Sequence, residues 1–325
     1  MKLSIITINY NNLHGLQKTI ASVVAQTCKE FEWIIIDGGS TDGSTELIEQ
    51  YQDHCAYWCS EPDKGIYNAM NKGIKRATGE YCLFLNSGDI IHDKNVIEKV
   101  KMELDGTDFI SGNVLLMNND NQYLREVKSP DVMCDFFLLE MALCHQGTFI
   151  RTDLLKRRPY DEGLKIVADW EQMFWELFIN RKEYRHIELV VSDYLVGGIS
   201  EKQSKLLNEE RMMIRNKYLS LCEQDKICFD HYFSKQDEVS FRKMTEIAYT
   251  ALINQHCSSK EFNDFGGKYK KVIMKYGSLH QRICIWLSLN GCMRMVLFLH
   301  RLLTRRDKGC RILGKRKETK QTFFC

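Results

Sequence analysis

The residues of this sequence best suited to chemistry are polar side chains that directly follow apolar segments. Asp37 ends the run "WIIID", and Asp89 ends the turn "NSGD" after "YCLFL". Asp63 follows a third such segment within "EPDKG", and Asn9 and Asn11 follow "LSIITI". Asn, Ser, Gly and Asp are also the ordinary composition of turns, so one such loop carries little weight. Four polar loops in succession, three of them with an Asp, predict a binding site.

The segments that would position these side chains alternate between strand and helix patterns over the first two hundred residues. The apolar runs "LSIITI", "WIIID", "AYWCS", "EYCLFL" and "TDFISGNVLLM" are typical of strands in a sheet that is buried on both faces. Apolar residues at helical spacing follow the first run, at Leu16, Ile20 and Val23. The alternation predicts a mostly parallel sheet flanked by helices on both faces. Ligands of such sheets bind in the crevice outside the carboxyl ends of the strands.

Length and composition indicate a soluble globular protein of one large domain or two ordinary ones. The chain has 325 residues, of which 44% are hydrophobic and 27% charged. A net charge of +2 does not favour a nucleic acid partner. The 13 cysteines form no C-x-x-C pair and no zinc-site spacing, which predicts free thiols in the cytoplasm. No secretory signal and no apolar window long enough for a transmembrane helix are found.

The glycine-rich loop "DGGSTDGS" matches neither the dinucleotide-binding fingerprint nor the P-loop. Asp37 before it would repel a phosphate, and suits better an acceptor for the N–H groups of a base or for ribose hydroxyls. A diphosphate in the crevice would then need a cation. Asp89, with Asn86 or Ser87 beside it, offers the oxygen ligands that Mg²⁺ and Mn²⁺ prefer, if the diphosphate completes the shell.

Five ordered segments of the chain resemble the family 2 glycosyltransferases, which are nucleotide-sugar enzymes of the GT-A fold. They are "SIITINYNN", "WIIIDGGSTDGS", "SEPDKGIYNAMNKGIKRATGEYCLFLNSGD", "CHQGTFIR" and "VADWEQMFWEL". Each segment is weak alone, but their order and spacing together are specific. The resemblance runs from Leu3 to about Ser200, and implies a GT-A-type, Rossmann-like catalytic domain over residues 1–200.

The resemblance also implies roles for individual residues. Asp89 would bind Mn²⁺ or Mg²⁺ as the metal-binding end of the family's D-x-D motif, with Asn86 in the place of the first Asp. Gly38 stands where members often have a second Asp, and the Q-x-x-R-W motif of processive members is missing, which indicates single additions. The residues expected to bind the donor, a UDP-sugar, are Thr7, Asn9, Tyr10, Asp37, Asp63, Lys64, Gly65, Asn71, Asn86 and Ser87.

Asp169 is the residue expected to take the proton from the acceptor hydroxyl in an inverting transfer. Its position alone is typical of a carboxylate that complements a helix dipole, and its match to the family's general base reverses that preference. Water exclusion by Trp170, Phe174 and Trp175 would raise the pKa of Asp169. Glu171 is the next candidate base.

His145 and Gln146 precede a short apolar strand and are expected to contact the diphosphate or the acceptor. A lone His is more often a structural hydrogen-bonding residue. The segment "GGIS", residues 197–200, is open to interpretation as a hinge over the donor or as an ordinary turn.

Residues 201–325 lack the alternation and predict a helical C-terminal region. An apolar stretch from Ile283 to Leu303 is followed by a cluster of Lys and Arg. Two interpretations stay open for it: packing on the catalytic domain or on a second copy, or peripheral docking at the inner face of a membrane.

The sequence thus predicts a cytoplasmic, metal-dependent, inverting hexosyltransferase that uses a nucleotide sugar. Its acceptor would be a glycan, free or lipid-linked, as in polysaccharide assembly for a cell envelope. A sugar-nucleotide pyrophosphorylase is one alternative, but it would need a glycine-rich basic loop that "ITINYNNLHG" does not provide. A catalytically inactive glycan-binding or assembly subunit is another, against which Asp37, Asp89 and Asp169 argue.

Overall fold

The structure, a computed structural model, describes residues 3–118, 122–131, 133, 138, 141–198 and 202–219. The chain divides into two compact units. One comprises Met1–Asp131 with Ala142–Ser204, and the other comprises Val132–Met141 with Lys205–Cys325. The domain boundary at residue 200 stays a prediction, and the stretch from Ile283 onward lies outside the described residues.

Strands and helices alternate along the first unit, as the apolar patterns predict. The strands are β1 (Leu3–Asn9), β2 (Phe31–Asp37), β3 (Tyr57–Ser60), β4 (Tyr81–Phe84), β5 (Ile90–Ile91), β6 (Phe109–Met117), β7 (Tyr123–Val127), β8 (Thr148–Arg151) and β9 (Tyr184–Leu195). The helices of the described residues are α1 (Leu13–Val24), α2 (Ser44–Gln50), α3 (Ile66–Arg76), α4 (Val96–Glu103), α5 (Thr152–Arg157), α6 (Ala168–Met173) and α7 (Ser204–Leu219). Short 3₁₀ turns occur at Gln52–His54 and His145–Gly147, and α6 continues as a π-helix over Phe174–Ile179. None of the described helices is both long enough and apolar enough to cross a bilayer.

The strands form one mixed sheet, in the order β3-β2-β1-β4-β8-β6-β9-β5, with β7 added to β6. Strands β1 to β4 are parallel to one another, and β6 is parallel to β9. The predicted fold class, an α/β sheet of GT-A type, is confirmed. One feature differs from the expected alternation: β8 lies between β4 and β6 and is antiparallel to both. Alternation along the chain does not specify which strands become neighbours, and here a later strand fills the gap.

The carboxyl ends of β1, β2 and β3 lie at the same level. Asn9 is paired with Asp37 across β1 and β2, and Asp37 is paired with Ser60 across β2 and β3. The chain after β4 continues alongside β1, because Ser87 N donates to Ile8 O at 3.0 Å. The register therefore collects the polar residues that follow four strands at one edge of the sheet.

Both faces of this sheet are covered by helices, as expected. Leu3 and Ile5 of β1 belong to a buried cluster with Leu16 of α1. Ile6 faces the other way, against Gly73 of α3, where a Cβ would lie 2.5 Å from Ile6 Cγ2. The absence of a side chain at Gly73 thus lets α3 pack closely on the centre of the sheet.

Candidate active site

Asp37 is a fully buried carboxylate at the end of β2 whose two oxygens are engaged by the protein. Its Oδ1 accepts hydrogen bonds from Asn9 Nδ2 at 2.8 Å and from Ser40 Oγ at 2.6 Å. Its Oδ2 accepts from Ser60 Oγ at 2.6 Å, from Ser40 N at 2.8 Å and from Gly39 N at 3.1 Å. Burial raises the pKa of Asp37, but these hydrogen bonds outweigh burial and the pKa lies below its ordinary value. Asp37 therefore ties three strand ends to the following loop, and its contact with a nucleoside stays a prediction.

The loops after β1 and β2 are joined side by side through further hydrogen bonds. Asn11 Oδ1 accepts from Thr41 N at 2.9 Å, and Asn11 N donates to Ser40 Oγ at 2.8 Å. Leu13 N donates to Asp42 Oδ2 at 2.8 Å. Asn11 has a φ of +48°, a left-handed conformation that Asn adopts more readily than most residues. These contacts build one wall of the crevice from two loops.

Tyr10, Gly38 and Asp63 lie together on the open side of the same strand ends. The Tyr10 side chain is 66% exposed. A Cβ at position 38 would lie 2.5 Å from Asp63 Oδ2 and 3.1 Å from Tyr10 Cδ2. Asp63 Oδ1 accepts a hydrogen bond from Gly65 N at 2.8 Å, and Lys64 between them is exposed. Two residues predicted to bind the donor, Tyr10 and Asp63, thus flank Gly38 at the crevice.

The side chains of two other predicted donor-binding residues are hydrogen-bonded to other residues of the protein. Thr7 is fully buried, and its hydroxyl accepts a hydrogen bond from Trp33 Nε1 at 3.0 Å. Asn71 Nδ2 donates to Tyr160 O at 2.9 Å and to Glu162 Oε1 at 3.0 Å, which ties α3 to the loop before α6. The structure does not bring the side chain of Thr7 to the crevice.

A chain of hydrogen-bonding distances connects the turn after β4 to α6. Asn86 Nδ2 lies 3.2 Å from His145 Nε2, and His145 Nδ1 lies 3.0 Å from Asp169 Oδ2. Asp169 Oδ1 accepts from Tyr67 Oη at 2.9 Å and from Trp170 N at 2.9 Å. The side chains of His145 and Asp169 are 17% and 18% exposed, so solvent reaches both. Three residues predicted for the site from separate segments are thus brought together.

The His145–Asp169 pair determines the protonation of both groups. Burial lowers the pKa of His145, but the hydrogen bond to Asp169 and the nearby carboxylates outweigh burial and raise it above the ordinary value. Burial raises the pKa of Asp169, but His145 and the Tyr67 hydroxyl outweigh burial and hold it below the ordinary value. The expectation that water exclusion raises the pKa of Asp169 is wrong, because both of its oxygens accept hydrogen bonds. Two of the aromatic residues invoked, Trp170 and Phe174, are themselves buried in the core.

Glu171, the next candidate base, is oriented differently. It is fully buried and forms an ion pair with Arg158 Nη2. Its carboxylate exposes no surface to an acceptor.

Asp89 lies 5% exposed at the end of the turn that follows β4. Its Oδ2 accepts from Asn86 N at 3.2 Å, and the side chain of Gln146 donates to it. Burial raises the pKa of Asp89 to about 7, against the opposing effects of His145, Asn86 N–H and Gln146. Asn86 Oδ1, on the same turn, is buried and has no hydrogen-bond partner among the described residues.

These two side chains provide oxygen donors alone, which fits Mg²⁺ or Mn²⁺. Two protein oxygens are few for six-fold coordination, so Asp89 and Asn86 fit a cation whose shell a bound diphosphate would complete. Elsewhere in the described chain, Asp131, His186 and Glu188 bring one potential ligand atom each within 4.8 Å of one another. His186 Nδ1 and Nε2 there already contact Asp131 Oδ1 at 2.8 Å and Asn113 Oδ1 at 3.0 Å.

The sequence analysis did not identify the residues that hold in place the turn after β4 and the His145–Asp169 pair. Thr19 Oγ1 donates to Asp89 O at 2.7 Å and accepts from Gly88 N at 2.9 Å. Asn12 Nδ2 donates to Ser87 O at 2.9 Å. A signal for Thr19 exists, since it is a polar residue within the apolar face of α1. No sequence signal pointed to the hydroxyl of Tyr67, because an aromatic residue on the buried side of α3 is typical of core packing.

Comparison with known proteins shows which sequences and structures this chain resembles. Residues 4–158 match the model described as "Glycosyl transferase family 2". An uncharacterized glycosyltransferase of Mycobacterium tuberculosis is 35% identical over 173 residues, which cover 52% of this chain and 66% of that protein. A PGL/p-HBAD biosynthesis glycosyltransferase of Mycobacterium bovis is 27% identical over 205 residues, which cover 61% of this chain and 78% of that protein. The chain thus spans just under two thirds of the first of these relatives.

Solved structures share the fold. The crystal structure of S. aureus TarS 1–349 in complex with UDP has a TM-score of 0.52 and 17% identity, and the likeness covers 96% of this chain and 93% of that one. The mannosyltransferase PcManGT from Pyrobaculum calidifontis, in complex with GDP-Man and Mn²⁺, has a TM-score of 0.52 and 14% identity. The likeness covers 94% of this chain and 88% of that one. At these identities the likeness supports the fold alone.

Proposed function

We propose that this chain, whose residues 4–158 belong to glycosyl transferase family 2, transfers a sugar from a UDP-sugar to a glycan or lipid-linked acceptor with inversion at the anomeric carbon. The observation that carries the proposal is the hydrogen-bonded chain from Asn86 through His145 to Asp169. It joins the turn suited to a cation and a diphosphate to a partly exposed carboxylate. Donor and acceptor chemistry need these two groups within reach of one another.

Asp169 has the properties of a base for the acceptor hydroxyl. Its lowered pKa keeps it ionised at neutral pH. Within the part of the chain that the structure describes, its Oδ2 accepts one hydrogen bond, from His145, which leaves room for a second donor. In the proposed step the acceptor oxygen attacks the anomeric carbon, the bond from that carbon to the diphosphate oxygen breaks, and the hydroxyl proton passes to Asp169. His145 and Tyr67 fix the direction of the carboxylate.

Asp89 and Asn86 would hold Mg²⁺ or Mn²⁺ through oxygen atoms. When bound, the cation neutralises charge on the departing diphosphate. A carboxyl group with a pKa of about 7 is partly protonated at neutral pH, and only its ionised form binds a cation. Cation affinity should therefore rise with pH around neutrality.

We propose a uridine nucleotide as the donor by analogy with TarS, which shares the fold and has been solved with UDP and with UDP-GlcNAc. The family match favours sugar transfer over the pyrophosphorylase alternative. We also propose residues 1–200 as the catalytic domain. Docking of the C-terminal region on a membrane stays a prediction about residues beyond those described.

A nucleotide-sugar screen tests the proposal and the inactive-subunit alternative together. Thermal stability is measured with UDP-, GDP- and ADP-sugars, with and without Mn²⁺, and hydrolysis of each donor is followed. A bound donor at a hundred times its dissociation constant should add about 2.7 kcal/mol to the free energy of unfolding. Mn²⁺-dependent binding with hydrolysis of a UDP-sugar supports the proposal, whereas binding without turnover of any donor or acceptor supports the inactive subunit.

A further inference from the structure

We infer that Asp63, rather than Asp37, is the carboxylate that contacts the nucleobase of the donor, and that it selects uracil. The inference rests on the proposed function, because it takes the crevice at the ends of β1, β2 and β3 to hold a nucleotide sugar. It concerns which protein atom receives the N–H group of the base.

Asp37 has no capacity left for that contact. Its carboxylate is fully buried and accepts five hydrogen bonds from Asn9, Gly39, Ser40 and Ser60. Two carboxylate oxygens offer about four lone-pair positions, so every position has a protein donor. A base could reach Asp37 only by breaking the loop that this residue holds together.

Asp63 presents the opposite situation. Its Oδ1 accepts from Gly65 N at 2.8 Å, and within the described residues its Oδ2 has no hydrogen-bond donor. That oxygen lies where a side chain on residue 38 would begin, 2.5 Å from the position of a Cβ. Gly38 is therefore required for the position of Asp63. A side chain on residue 38 and the carboxylate of Asp63 would compete for one space, and here Asp63 occupies it.

Tyr10 supplies the second element of a base site. Tyr10 is 66% exposed, and its ring approaches the same space, with Cδ2 3.1 Å from the Cβ position on Gly38. An exposed aromatic face is a stacking surface for a base of any identity. A stacked base beside Tyr10 would direct its edge to Asp63 Oδ2, so the carboxylate would provide the selectivity that stacking lacks.

One carboxylate oxygen that is free among the described residues matches uracil better than guanine or cytosine. Uracil offers a single N–H between two carbonyl groups, which one acceptor satisfies. Guanine offers two neighbouring N–H donors, which call for both oxygens of a carboxylate, and Gly65 N engages one oxygen of Asp63. Cytosine presents an unprotonated ring nitrogen at the corresponding position, which a carboxylate repels.

The test measures the dissociation constants of UDP, CDP and GDP by calorimetry in the presence of Mn²⁺, for the full-length chain and three variants. Asp63→Asn keeps the size of the side chain but adds an amide donor. It should weaken UDP binding about 10- to 100-fold, which is the effect of losing a hydrogen bond to a charged group. It should also lower the preference for UDP over CDP at least about tenfold. Gly38→Ala should weaken UDP binding by a similar factor, because the added methyl group would displace the Asp63 carboxylate.

Asp161→Asn is the matched control, since Asp161 Oδ1 accepts from Gly163 N at 2.9 Å in the same local geometry as Asp63 and Gly65. It should leave all three constants unchanged. If UDP binds the wild type, and Asp63→Asn retains both its affinity and its preference over CDP, the inference is overturned while the proposed function stands. If the wild type binds none of the three nucleotides, both are overturned.

Discussion

His145 Nδ1 lies 3.0 Å from Asp169 Oδ2, although 24 residues separate the two along the chain. The 3₁₀ turn His145–Gly147 leads into β8, and the pairing of β8 with β4 brings His145 Nε2 to 3.2 Å from Asn86 Nδ2 on the turn after β4. Because Asp169 is ionised, the proton between the pair resides on His145 Nδ1. His145 thereby holds the carboxylate in place and keeps its pKa low.

Removal of His145 should shift the pH profile of transfer to higher pH. Burial raises the pKa of Asp169 and His145 opposes it, so His145→Asn should let the pKa rise. A carboxylate must be ionised to act as a base, so turnover is lost as the pH falls through its pKa. The acid limb of the kcat profile should therefore move to higher pH. Rates measured from about pH 4 to 9 check this.

Tyr67→Phe is the companion variant, since it removes a different donor to the same carboxylate. It should move the acid limb in the same direction by a smaller amount. An acid limb that both variants leave at its wild-type position would show that Asp169 does not limit turnover at low pH.

Asp89→Asn should abolish metal-dependent donor binding and leave the fold intact. Calorimetry of UDP binding with Mn²⁺ and with a chelator compares the two proteins. In the wild type, the Mn²⁺-dependent part of the affinity should grow from pH 6 to pH 8, because the Asp89 carboxyl group, with a pKa of about 7, ionises over this range. Equal UDP affinity with Mn²⁺ and with chelator in both proteins would show that Asp89 does not bind the cation.

The same residue gives a stability prediction of the opposite sign. The folded-state pKa of Asp89 is raised from 3.8 to about 7, so its contribution to stability is present below the unfolded pKa and is lost as pH rises through about 7. Without cation at pH 8, Asp89→Asn should therefore melt at a higher temperature than the wild type. At pH 5 the difference between the two melting temperatures should be smaller than at pH 8, and a difference that persists unchanged at pH 5 would exclude ionisation of Asp89 as its cause.

Glu32 should contribute acid-sensitive stability at the opposite end of the sheet. It is 6% exposed and accepts hydrogen bonds from Ser4 Oγ, from Thr78 N and Oγ1, and from Gly79 N. Burial raises its pKa, but these bonds outweigh burial and lower it from 4.5. This stability is present above pH 4.5 and is lost as pH falls through the folded pKa.

Glu32→Gln replaces one accepting oxygen by an amide donor and should cost about 1–3 kcal/mol at pH 7, measured by urea unfolding. The exposed Glu30, which pairs with Lys101, provides the control Glu30→Gln, for which little change is expected. Similar losses in both variants would contradict the role of the buried hydrogen bonds at Glu32.

The sequence predicted where the strands end better than it predicted which strands lie next to one another in the sheet. Apolar runs that stop at Asn9, Asp37 and Asp89 are local patterns, and the polar edge of the sheet follows from parallel pairing. The insertion of β8 between β4 and β6, which brings His145 to Asn86, depends on pairing between distant segments and leaves no local pattern. The same limit applies to the contact between Tyr67 and Asp169, and it is why the direction of the Asp169 pKa was wrong.

The central claim, that Asp169 accepts the proton of the acceptor hydroxyl, is tested most directly by the turnover of Asp169→Asn together with its donor affinity. Loss of a positioned base should lower kcat about 10²- to 10⁴-fold, or about 3–5 kcal/mol of barrier. The dissociation constant for the UDP-sugar should stay within about twofold of the wild type, because the amide preserves the size of the side chain and the base faces the acceptor. Retention of more than about a tenth of wild-type turnover would contradict the claim, and parallel loss of donor affinity would make Asp169 a structural residue.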